Sequence, residues 1–226
     1  MTRIETQVAI IGAGPAGLML SHLLLQYGIH SVVVELRSRE HCETRIRAGV
    51  LEQGTVDLLR QTGLAARLDR EGMVHRGIRI GFQDRLHRIP LSDLASGRAI
   101  TVYGQHEVVR DLIAARLADA GEVLFDCENV SVRDLEGPHP TVHFDRDGQS
   151  VTLAADFIAG CDGFHGVCRS SVPDAAWQIV ERTFPFAWLG VLAQAAPTSD
   201  ELVYMSHERG FALFSMRSPH VTRLYL

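Results

Sequence analysis

The run Gly12-Ala13-Gly14-Pro15-Ala16-Gly17 sets three glycines at the spacing Gly-x-Gly-x-x-Gly. Between a strand and a helix each has a separate task. The first permits a tight turn, the second lets the backbone approach a pyrophosphate, and the third lets helix and strand pack closely. The helix start then offers unpaired N–H groups and a partial positive charge to a phosphate. Glu35 stands eighteen residues past Gly17, at the end of the next apolar run. A carboxylate there can accept hydrogen bonds from both hydroxyls of a ribose. It would also repel a 2′-phosphate, so this pattern selects FAD or NAD over NADP without separating the first two. Taken alone, the motif also fits a glycine-rich turn that merely packs.

Two further groupings could do chemistry. Residues 158–169 read IAGCDGFHGVCR. Asp162 beside Gly163 can bond a sugar or a backbone amide, and Arg169 can face a phosphate; a capped turn with a surface arginine fits equally well. Ser215 and Arg217 lie two apart in a strand pattern, so both project from one face. An arginine grips a carboxylate with two parallel hydrogen bonds, and a serine hydroxyl adds a third. Arg223 and Tyr225 repeat the spacing. On pattern alone, Arg217 fits a solvated strand arginine as well.

These residues need particular elements beneath them. Residues 7–11 (QVAII) and 31–35 (SVVVE) read as short buried strands, with a helix from Pro15 to Tyr27 ended by Gly28. That unit implies a parallel sheet. Further helices are expected over 51–61 and 107–120. Strands are expected over 99–103, 122–135 and 157–160, and as two short pieces within 77–91 turning near Gln83-Asp84. Asp147-Gly148, between alternating runs at 141–146 and 149–153, is a hairpin signal. After Arg169 the helices stop. Residues 184–196, 202–207, 211–217 and 221–226 all read as strands, which predicts an antiparallel sheet in a second domain.

The composition narrows the function classes. Hydrophobic residues make up 46% and charged residues 22%, the balance of a globular chain. With a net charge of −5, no basic face recommends nucleic acid or an anionic membrane. All 22 basic residues are arginine, which excludes a Schiff-base lysine and a Walker phosphate loop. The four cysteines match neither a disulfide framework nor a zinc site. A reduced cytoplasmic setting is expected, with no membrane span and no metal.

The glycine motif and the Asp162 motif, in this order, bracket RIRAGVLEQG (45–54) and TVYGQ (101–105), with RGFAL (209–213) further on. This combination closely resembles the single-component FAD-dependent aromatic hydroxylases over nearly the whole chain. The resemblance implies an α/β fold: a Rossmann-like parallel FAD-binding sheet of the glutathione-reductase type, and a second antiparallel-sheet substrate domain. The expected division is 1–75 with 99–180 for the FAD/NAD(P)-binding domain, and 76–98 with 181–226 for the substrate domain. Family chains are longer and carry a later Gly-Asp flavin motif, so an N-terminal part of such a chain is expected. The C-terminus also falls inside a strand pattern.

The resemblance further implies residue roles. Gly12, Gly14, Ala16, Gly17 and Glu35 would hold the ADP half of FAD. Arg45, Ile46, Arg47, Ala48, Gly49 and Val50 would run along the pyrophosphate and flavin, and Gln105 would bond the ribityl chain. Asp162 would lie near FAD, with His165 and Arg169 facing the reduced pyridine nucleotide. Ser215, Met216, Arg217 and Tyr225 would bind substrate, and Tyr204 would be the catalytic partner of the phenol oxygen. Partners would be a small aromatic acid and O₂, with a homodimer for the full-length form. The implied reaction converts 4-hydroxybenzoate to 3,4-dihydroxybenzoate, using FAD and NADPH or NADH through a flavin C4a-hydroperoxide. Alternatives are a related aromatic-acid hydroxylase of other ring specificity, or an inactive flavin-binding fragment. Three features depart from common patterns. Ala16 and Gly166 replace hydroxyl residues, and Leu36, Arg37 and His41 leave the choice between NADPH and NADH open.

Overall fold

A computed structural model describes residues 2–226. The chain forms two compact units, 1–46 with 105–180 and 47–104 with 181–226.

In the first unit a six-stranded sheet runs in the order Glu122–Leu124, Ser31–Val34, Thr2–Ile11, Gln149–Gly160, Thr141–Arg146, Glu128–Arg133. The first four strands are parallel and the last two antiparallel. Val32, Val33 and Val34 are buried on both faces, as a central parallel strand requires. Burying such a side chain contributes about 1.5–3 kcal/mol. One face packs Ala9, Ile11, Val142, Phe144 and Leu153 into a single core. The helix Pro15–Gln26 starts with proline in its first turn and is followed by Gly28 at φ +70°.

The second unit holds a six-stranded sheet ordered Gly190–Ala193, Val221–Tyr225, Gly210–Ser218, Leu202–His207, Ile78–Phe82, Arg85–Ile89. It is antiparallel except where Leu202–His207 runs parallel to Ile78–Phe82. A three-stranded sheet joins Val50–Glu52, Ile100–Val102 and Met73–His75. The Glu201 side chain is 9% exposed and bridges to Arg88 at 2.6 Å. That pairing holds the Glu201 carboxyl below its usual range, chiefly through the Arg88 hydrogen bond.

Several elements differ from the sequence reading. The expected strands at 149–153 and 157–160 are one strand, Gln149–Gly160, because Thr2–Ile11 pairs along its length. The expected strand at 122–135 is two, broken near Asp126 at φ +58°. Residues 184–189 are not strand; the strand is Gly190–Ala193, with Leu189 adding two backbone hydrogen bonds to Leu226. The helix expected over 51–61 begins at Gln53, after the short strand Val50–Glu52. The units also divide differently: 47–75 and 99–104 cluster with the second unit, where His75 meets Met216 and Arg223 bonds the Arg47 carbonyl.

Candidate nucleotide and anion sites

The first site grows from the carboxyl ends of neighbouring strands in the first unit. Ile11 lies in register with Gly160, so the glycine turn and the Asp162 turn begin side by side. Gly12 has φ +107°, and a Cβ there would overlap the Cys161 carbonyl. A Cβ on Gly17 would overlap the Gly12 carbonyl and touch the Ile10 side chain at 3.1 Å. Gly14 differs: nothing lies within 4 Å of its Cβ position. Open space therefore faces the backbone where a pyrophosphate would approach. The helix it opens has no acidic residue in its first turn and no side-chain cap, so its leading N–H groups stay available.

Glu35 secures this turn. One carboxylate oxygen accepts from the Ala13 N–H at 2.7 Å and the other from the Arg37 N–H at 2.8 Å. A carboxylate has about four acceptor positions, so two remain for ribose hydroxyls.

Asp162 accepts from the Cys168 N–H at 2.9 Å and so caps the short helix Val167–Ser171. Its carboxylate occupies the place a Cβ on Gly166 would take, which explains glycine at that position. Burial and Asp162 push the Cys168 thiol up to about 12, so this cysteine is no nucleophile. The Arg169 guanidinium lies 5.0 Å from the exposed Phe164 ring, and His165 meets that ring edge-on. A cleft of about 560 Å³ brings Ala16, Asp162 and Arg169 together. Arg45 and Ile46 are exposed in the first unit, and Gln105 opens the helix Gln105–Ala118.

The second site lies on one face of the larger sheet in the second unit. Tyr204 pairs with Leu213, Leu213 with Tyr225, and Ser215 with Arg223. Directly opposed residues share a face, so Tyr204, Ser215, Arg223 and Tyr225 all point the same way. Arg217 sits in a register shift between Met216 and Ser218, and its guanidinium interacts electrostatically with Tyr225. Ser215 is buried, at 6% exposure. Burial, and then the charge of Arg223, lower the affinity of Arg217 for its proton. Among the described residues no carboxylate pairs with Arg217 or Arg223. Two guanidiniums converging without a counter-ion make a place for an anion.

A loop covers this face. Arg223 donates to the Arg47 carbonyl at 2.5 Å, and Gly49 is buried against the Arg217 guanidinium. Tyr103 N–H fixes the Gly49 carbonyl at 2.9 Å. Arg47, Ala48 and Val50 are exposed around it. Trp188 adds an aromatic wall, 5.4 Å from Phe211 and 5.5 Å from Tyr225.

The pattern of the FAD binding domain matches residues 5–226, almost the full chain. The chain belongs to that FAD-binding family. Its 226 residues are 47% identical to p-hydroxybenzoate hydroxylase of Acinetobacter baylyi, covering 100% of this chain and 56% of the relative. A second relative is 3-(3-hydroxy-phenyl)propionate/3-hydroxycinnamic acid hydroxylase 2 of Burkholderia vietnamiensis. It is 28% identical over 195 residues, which cover 84% of this chain and 34% of that one. The chain thus spans about half, or less, of the length of these relatives. Among solved structures, p-nitrophenol 4-monooxygenase PnpA of Pseudomonas putida superposes with a TM-score of 0.83 at 17% identity. That match covers 100% of this chain and 58% of PnpA. PqsL of Pseudomonas aeruginosa, a probable FAD-dependent monooxygenase, gives 0.81 at 22%, covering 98% and 60%. These likenesses show that the chain shares the fold of those two proteins.

For an FAD-binding chain the glycine cradle and the open approach at Gly14 fit the dinucleotide. Two residues of the larger sheet stand differently from the rest of the expected substrate set. Met216 pairs with Thr222 and projects from the reverse face, where its sulfur lies 3.0 Å from His75 Nε2. Alternation along the strand separates it from Ser215. Arg223, whose spacing from Tyr225 was visible in the sequence, stands on the anion face and was absent from the expected substrate residues. No helix among the described residues is long and apolar enough to cross a membrane.

Proposed function

We propose that this chain serves a flavoprotein monooxygenase that converts 4-hydroxybenzoate to 3,4-dihydroxybenzoate, using FAD, a reduced nicotinamide coenzyme and O₂. The observation that carries the reading is the pair Arg217 and Arg223, without a carboxylate partner, on the face that also presents Tyr204. A hydroxylated aromatic acid has an anion at one end and a phenol at the other, and this face offers a partner for each.

Arg217, Ser215 and Tyr225 take the carboxylate through charge-assisted hydrogen bonds. Tyr204 accepts a hydrogen bond from the phenol and draws off its proton, which enriches the ring carbon beside the oxygen. Trp188 and the loop around Gly49 narrow access by water. In the first unit Gly12, Gly14, Ala16 and Gly17 receive the pyrophosphate, while Glu35 takes the ribose. Arg45 and Gln105 extend along the cofactor, and Asp162, His165 and Arg169 face the nicotinamide nucleotide. Bound FAD would supply hydride acceptance and oxygen transfer.

Protein loaded with FAD is expected to oxidise NADPH or NADH faster when 4-hydroxybenzoate is added, with 3,4-dihydroxybenzoate appearing on chromatography. Equal stimulation by the neutral 4-hydroxybenzamide would remove the anion grip from the reading. A panel of hydroxylated phenylpropanoates and benzoates separates the 4-hydroxybenzoate assignment from other ring specificities.

A further inference from the structure

Gly49 belongs to the loop read above as lining the cofactor. We infer that it is also a positioning residue for the substrate anion, and that glycine is needed there to leave room for the Arg217 guanidinium. The inference rests on the proposed role of Arg217.

Three observations support it. Gly49 is buried, although Arg45, Ile46, Arg47, Ala48 and Val50 around it are exposed. A Cβ built on Gly49 would overlap Arg217 Nη1 and come within 2.7 Å of its Cζ. Gly49 is not among the glycines of positive φ, so its backbone conformation is open to alanine, and space alone excludes a side chain.

What would give way is the far end of a flexible side chain. The fold can absorb that change, because an arginine side chain has other rotamers while the loop stays held by Tyr103 N–H on the Gly49 carbonyl and by Arg223 on the Arg47 carbonyl. The guanidinium cannot keep its place. It lies between Gly49 and Tyr225, with Arg223 repelling it, and its Nε is buried without a hydrogen-bond partner. Any rotation away from Gly49 moves the two-pronged donor off the carboxylate position. A planar fork loses its paired hydrogen bonds when displaced by about 1 Å. The cost of Gly49→Ala therefore appears in anion binding and leaves the scaffold intact.

A double-mutant cycle tests this. Dissociation constants of 4-hydroxybenzoate and of 4-hydroxybenzamide are measured by titration calorimetry on FAD-loaded protein, for the parent, Gly49→Ala, Arg217→Ala and the double variant. Gly49→Ala is expected to weaken 4-hydroxybenzoate about tenfold or more, to leave 4-hydroxybenzamide within about twofold, and to retain FAD. In the Arg217→Ala background the same change is expected to have almost no effect on either ligand. Equal losses for both ligands, an undiminished loss in the Arg217→Ala background, or no loss at all would each overturn the inference. If Gly49→Ala lowers the melting temperature, adding Arg217→Ala must restore it, since the overlapping group is then gone. A deficit that persists refutes the spatial argument. Should Arg217→Ala itself leave 4-hydroxybenzoate binding unchanged, the proposed grip fails, independently of Gly49.

Discussion

The glycine turn of the first unit offers an anion its backbone amides, whereas the Ser215–Arg223 face of the second unit offers guanidiniums. In the turn, the covalent chain sets almost everything. Gly12 adopts φ +107° beside the Cys161 carbonyl, and Gly17 packs on Gly12 itself. Fold and ligand site are the same atoms there, so a change that spoils one spoils the other. On the arginine face the sheet sets only which way side chains point. The guanidinium positions are completed by Gly49, Tyr225 and the Arg47 carbonyl, drawn from segments far apart in sequence. Binding there can be lost while the fold survives.

The sharpest contrast is expected between glycines of a single turn. Gly12→Ala adds strain at positive φ and a clash with backbone, and should cost about 3 kcal/mol or more. Loss of cooperative melting by circular dichroism, with loss of bound FAD, would show it. Gly14→Ala has φ −77° and open space around its Cβ, so melting should stay within about 0.5 kcal/mol while FAD binding weakens. If both variants melted alike, the claim that fold and site coincide at Gly12 would be broken.

On the arginine face, Arg217→Ala should raise the 4-hydroxybenzoate dissociation constant by roughly 30- to 1000-fold, about 2–4 kcal/mol. Its melting temperature should not fall, because a half-buried charge without a counter-ion is being removed. A change below threefold by calorimetry would count against the grip.

A pH series sharpens the comparison away from either site. Glu201 has its pKa depressed, mainly by the Arg88 hydrogen bond, so the pair stabilises the fold above the usual carboxylate pKa of 4.5. That contribution is lost as pH falls through the lowered value. Arg88→Met should therefore lower the melting temperature at pH 7, and the gap from the parent should close below pH 4.5. A gap independent of pH would assign the effect to packing. The smallest effect is expected from Asp162→Asn, which keeps an acceptor for the Cys168 N–H and should cost about 0.5–1 kcal/mol in a denaturant titration.

The same contrast explains what could be read in the sequence. The glycine motif is consecutive, so its turn, its helix and the place of Glu35 follow from local spacing. The hairpin at Asp147-Gly148 was equally plain, since both residues take positive φ. Long-range pairing was not. Ala154, Ala155 and Asp156 read as a break between strands, yet Ala154 and Ala155 pair with Glu5 and Thr6 in one continuous ladder. Residues 184–189 are apolar enough for a strand, but Phe184, Phe186 and Trp188 stay largely exposed and outside the ladder, and only Leu189 reaches it, exchanging backbone hydrogen bonds with Leu226. On the arginine face, spacing gave Ser215 with Arg217 and Arg223 with Tyr225. Family likeness was needed to give them a purpose. The burial of Gly49 beneath Arg217 depends on a contact across 168 positions that no local pattern encodes.

Trp188 stands 5.5 Å from Tyr225, which interacts electrostatically with the Arg217 guanidinium. Indole emission responds to nearby fields and polarity, so a charge seated on Arg217 should alter its fluorescence. The other indole, Trp177, belongs to the first unit. Replacing each in turn by phenylalanine would leave a chain with one intrinsic optical probe, reporting separately on each half of the molecule.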